Sequence, residues 1–128
     1  MRNLSKKRIA KTISYNPEMR LVKKDGKLSQ SFLTAIAKIA EMSKLGKSYK
    51  LYTLNEYGSG RGTTYTENKI ASDVSFVLDL LDIKYIYGND SKSGEAGYGE
   101  YIALQRKVKF DSTKHIEFVQ SAIDKYLA

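Results

Sequence analysis

The segment Thr64-Tyr65-Thr66-Glu67-Asn68-Lys69-Ile70-Ala71-Ser72-Asp73-Val74-Ser75-Phe76-Val77-Leu78-Asp79-Leu80-Leu81-Asp82-Ile83-Lys84-Tyr85-Ile86-Tyr87 changes character partway along. Its opening residues Thr64 to Glu67 have capping-box spacing, which places a helix start there. Ile70, Val74, Val77, Leu78 and Leu81 then form an apolar stripe at helical steps, running to about Asp82. Ile83 to Tyr87 is short and rich in β-branched and aromatic residues, so it reads as a strand. A helix running straight into a strand implies a sheet with helices laid over it.

The same reading extends outward in both directions. Gly88 to Gly99 carries four glycines and reads as a loop, and Tyr101 to Phe110 as the longest strand. Period-two alternation puts Tyr101, Gln105, Lys107 and Lys109 on one face of that strand and Ile102, Leu104, Val108 and Phe110 on the other. Asp111 or Ser112 caps a last helix whose Ile116, Val119, Ile123 and Tyr126 face inward. Upstream, Ser29 or Ser31 caps a helix carrying Phe32, Ile36, Ile39 and Ala40, and Gly46 ends it. Tyr49 to Asn55 reads as a strand, broken by Gly58-Ser59-Gly60-Arg61-Gly62. Ile9 to Tyr15 reads as a short strand. Asn16, Pro17 and Glu18 then suit either a short helix over 17–24 or a hairpin turn.

The expectation is therefore an α+β protein with a small mixed or antiparallel sheet of three to four strands, covered by about three main helices. Residues 1–28 read as a basic N-terminal arm and 29–128 as a single domain. With no cysteine in its 128 residues, the chain has no disulfide or thiolate chemistry. One histidine and no cysteine leave no protein-built structural zinc site, and no cofactor is implied. His115, in the first turn of the last helix, reads as a surface or packing residue. The basic N-terminus lacks the apolar stretch of a secretory signal, and no apolar run suits a membrane span, so the expected location is the cytoplasm of a cell or of an infected host cell.

Where the net charge of +8 lies is more informative than its size. Residues 1–28 hold nine bases against Glu18 and Asp25, a net of +7; the other hundred residues hold thirteen bases and twelve acids, a net of +1. Such segregation is the composition of a segment that binds nucleic acid or another polyanion. The expected contacts are Lys6, Lys7, Arg8, Lys11, Arg20, Lys23 and Lys24 from the basic segment, with Arg61 and Lys107 in support. Arg61 sits in the Gly58–Thr64 loop ahead of a helix start, where backbone N–H groups and a guanidinium suit an anion. That loop lacks the closing Gly-Lys-Ser/Thr of a phosphate-binding loop. Tyr85 and Tyr87 would add a base-stacking surface if their register joins them to Tyr101 and the strand lysines.

The resulting expectation is a non-catalytic, nucleic-acid-associated binding protein. One alternative is a small phage or mobile-element interaction protein, either a virion component or an inhibitor of a host protein complex. Another is a small metal-dependent nuclease, because Asp90, the glycine loop and Gln105-Arg106-Lys107 loosely resemble the PD-(D/E)xK arrangement. Gln105 stands there in place of the second acid.

Overall fold

The computed structural model describes residues 4–14, 21–46, 50–52, 65–89 and 100–128. Among these the order is α1 (Lys6–Ser14), α2 (Gln30–Leu45), β1 (Leu51–Tyr52), α3 (Tyr65–Leu80), β2 (Tyr85–Asn89), β3 (Glu100–Leu104) and α4 (Ser112–Leu127). The architecture is α+β, but among the described residues the sheet has one full strand pair, short of the three to four strands expected. It is in substance the antiparallel ladder of β2 and β3, with the two-residue β1 on the other side of β3.

Several helix ends have a local cause. The Ser29 hydroxyl accepts from the Phe32 N–H at 3.3 Å, and Asp111 accepts from the Lys114 N–H at 3.1 Å, satisfying first-turn donors of α2 and α4. Gly46, at φ 81°, closes α2 by donating to the Met42 carbonyl at 3.0 Å. α3 stops at Leu80 in a Schellman turn: Ile83 N–H reaches Leu78 O at 2.9 Å and Asp82 N–H reaches Asp79 O at 3.2 Å. The left-handed residue of that turn is Asp82, at φ 58°, where glycine or asparagine is the usual choice.

The core forms where α2 packs on α3 beneath β3, with α4 against α2. Phe32, Ile36, Ile39 and Met42 meet Val74, Val77 and Leu78, and Ile102, Leu104, Val119 and Ile123 close the cluster. The expected apolar stripes thus face inward, except that Tyr126 is exposed at the end of α4. Burying each such side chain contributes roughly 1.5–3 kcal/mol.

Two strand expectations are corrected. β3 ends at Leu104 rather than running to Phe110, because its partner gives out. Tyr85 pairs with Leu104, so residues beyond Gln105 would need partners before Lys84, where the chain is still in the turn that closes α3. Gly88 and Asn89 belong to β2 rather than to the loop. The single histidine packs as expected, its ring stacked on Phe110 at 4.3 Å.

The basic segment also folds differently. Residues 6–14 form a helix, so Ile9–Ser14 is not the expected strand, and Tyr15 lies outside the described residues. The Ser5 hydroxyl accepts from the Arg8 N–H at 3.2 Å, and Ile9 and Thr12 are buried. Residues 21–24 are not helical either: Leu21 and Val22 are buried, and Val22 bridges Leu28 around a turn containing Gly26 at φ 85°. The remainder of the expected 17–24 helix lies outside the described residues. The described parts of segment 1–28 are thus packed onto the domain, with Ile9, Leu21, Val22 and Leu28 in its core.

Candidate functional site

On α1 the residues separate by helical angle. Ile9 and Thr12 are buried, with Ile13 packed beside them, while Lys7, Arg8 and Lys11 are exposed along one arc. Thr12 is accommodated because its hydroxyl donates to the Arg8 carbonyl at 2.8 Å. Three bases in the first turn oppose the helix dipole, and Lys7 and Lys11 repel each other at i,i+4. Packing, rather than local preference, therefore holds this helix.

Between α1, the end of α3 and β2 lies a groove of about 640 Å³. Arg8 and Lys11 form its α1 rim, Asp79 and Asp82 its α3 rim, and Tyr85 and Tyr87 its β2 wall. The Arg8 guanidinium donates to Leu80 O at 3.4 Å, tying α1 to the carbonyl end of α3, where the helix dipole favours a cation. Lys84 lies 3.9 Å from Asp82, an exposed pair of small energetic weight.

Strand register decides which tyrosines share this groove. Tyr87 pairs with Ile102 and Tyr85 with Leu104, so both tyrosines lie on the core-side face of the ladder. Tyr101 pairs with Gly88 on the opposite face. A Cβ at Gly88 would sit 2.6 Å from the Tyr101 ring, and the Lys50 ammonium lies 4.4 Å from that ring's centroid. The conditional surface uniting Tyr85 and Tyr87 with Tyr101 therefore does not form. Instead Tyr85 and Tyr87 stand opposite Arg8 and Lys11.

Tyr85 donates to Asp79 Oδ2 at 3.2 Å. Burial, and next the Asp79 carboxylate, push its phenol above the ordinary value of 10.0. The folded protein therefore holds the Tyr85 proton more tightly than the unfolded chain does. The associated stability is fully present below pH 10.0 and is lost as pH rises through the folded value. Denaturant midpoints of wild type and Tyr85→Phe, taken on both sides of pH 10.0, are expected to converge on the alkaline side. Parallel curves would remove Tyr85 from the alkaline linkage.

Asp82 offers a second check. Asn tolerates the left-handed backbone and carries no charge, so Asp82→Asn is expected to gain about 0.5 kcal/mol in stability. Thermal unfolding of the two proteins measures it.

The remaining expected contacts are scattered. Lys6 faces a separate groove of about 550 Å³ between α1 and α4, beside Phe118 and Tyr126. Lys23 and Lys24 are exposed on the turn between Val22 and Leu28. Lys107 is exposed in the irregular stretch after β3, not on the strand. Arg20, Arg61 with its glycine loop, and Asp90 lie outside the described residues. Among the described residues no group of three His, Cys, Asp or Glu is placed to hold a metal. None of their helices is long and apolar enough to cross a membrane.

Composition gave no sign of Gln120, which anchors the 22–28 turn to α4. Its Oε1 accepts from Leu28 N–H at 3.0 Å and its Nε2 donates to Gly26 O at 2.9 Å. No family model, curated protein or solved structure matches this chain.

Proposed function

We propose that this protein binds nucleic acid without acting on it, through the exposed bases of α1. The supporting observation is the arc of Lys7, Arg8 and Lys11 on a helix whose other side is buried in the domain. A docked helix presents its charges at fixed spacing, so less entropy is lost on binding than with a frayed tail. Lysine and arginine contacts to phosphate release counterions, which makes the affinity steeply dependent on salt.

The test is a salt titration of oligonucleotide binding. A log–log slope of about −3 or steeper matches three or more phosphate contacts. A flat dependence would remove the polyanion role of α1.

A further inference from the structure

We infer that the groove between α1 and β2 takes an unpaired base, so that the protein favours single-stranded over duplex nucleic acid. This rests on the nucleic-acid reading above and names the form of substrate that its site selects.

Three features of the groove combine. The first is aromatic: Tyr85 and Tyr87 line one wall, and Tyr87 is 55% exposed although it lies next to the core strand. An exposed ring on an edge strand offers a π-face to any base, which is the sequence-tolerant element of single-strand recognition. The second is the division of charge between the rims. Arg8 and Lys11 stand on α1, whereas Asp79 and Asp82 stand on the α3 side. A phosphate backbone is drawn to the first rim and repelled from the second, so a strand following α1 turns its bases toward the tyrosine wall. The third is shape. At about 640 Å³ the groove falls in the range of small-ligand sites, and a base must leave its stack to enter it. In a duplex that departure costs a few kcal/mol, whereas in a single strand most of the cost is absent.

The two rims also divide the work. The lysines of α1 contact phosphate in either form of nucleic acid, whereas Tyr87 contacts a base only when it is unpaired. Binding to both forms should depend on the lysines, and preference between them on Tyr87.

The experiment compares one mixed-sequence oligonucleotide, single-stranded and annealed to its complement, by fluorescence anisotropy at a single salt concentration. The proteins are wild type, Tyr87→Ala, Tyr87→Phe and Lys7→Gln/Lys11→Gln. Wild type is expected to bind the single strand more tightly. Tyr87→Ala should weaken single-strand binding about tenfold and leave duplex binding within about twofold. Tyr87→Phe keeps the ring and should stay close to wild type. Circular dichroism of Tyr87→Ala should match wild type, since the side chain is largely exposed.

If Tyr87→Ala weakens both forms equally, or neither, or if wild type prefers the duplex, the base-stacking inference is overturned. The nucleic-acid reading then still stands, provided that the lysine variant weakens both forms. If wild type binds neither form, both fall together.

Discussion

Gln120→Ala is expected to destabilise the protein by about 2 kcal/mol, a shift of roughly 6–10 °C in the unfolding midpoint. The amide holds the turn between Val22 and Leu28 at two points, one donor and one acceptor. Truncation leaves the Leu28 N–H and the Gly26 carbonyl to find water in a partly buried setting, and each loss costs more than an ordinary surface hydrogen bond contributes. That turn carries Val22 and Leu28 into the core, so the damage reaches beyond the loop. A companion variant separates the two halves of the amide. Gln120→Glu keeps an acceptor for Leu28 but sets a carboxylate against the Gly26 carbonyl and the Asp124 side chain, which the amide now contacts at 2.9 Å. It should therefore be at least as destabilising as alanine near neutral pH and should recover in acid. Chemical denaturation of the three proteins at two pH values checks the order. Equal stability of wild type and Gln120→Ala would show that the turn holds itself.

Much of this fold was legible in sequence, for identifiable reasons. α2, α3 and α4 announce themselves because their stripes are long, and Ser29, Gly46 and Asp111 mark ends of α2 and α4. α1 is ambiguous in sequence because Ile9 and Ile13 satisfy a period of two and a helical step of four equally well. Burial of Thr12 settles the matter, and a polar residue gives no hydrophobic signal. The sequence overstates β3 for a related reason. Alternation continues through Phe110, yet a strand lasts only as long as its partner does, and the partner here has already turned into α3. The candidate site was half visible. Arg8, Lys11 and the two tyrosines each stand out in sequence, but a groove made from a helix and an edge strand depends on register and docking. Asp79, Asp82 and Gln120 gave no cue, since their importance comes from a hydrogen bond, a left-handed turn and a contact 92 residues away along the chain.

The double variant Lys7→Glu/Lys11→Gln is expected to lose nucleic-acid affinity on the order of fiftyfold at low salt, with the log–log salt slope falling by nearly two. Each phosphate contact in a non-specific complex is worth roughly 1 kcal/mol, so removing two and adding one repulsion brings the loss to about 2–3 kcal/mol. The usual objection to such a result is that the variant unfolds the binding element. Here the physics runs the other way. Lys7 stands in the first turn of α1, where an acidic side chain suits the dipole better, and the change removes the i,i+4 repulsion with Lys11. Neither lysine is buried, and the contacts that dock the helix through Ile9, Thr12 and Arg8 are left alone. The variant should therefore be as stable as wild type, or slightly more so, while binding poorly. Deleting residues 1–11 would not give this separation, because it removes Ile9 from the core and the Arg8 bond to the end of α3. If the substituted protein is stable and still binds with an unchanged salt slope, the phosphate contacts lie elsewhere on the chain. If binding falls while stability holds, the unfavourable charges of α1 have a use that folding alone does not supply.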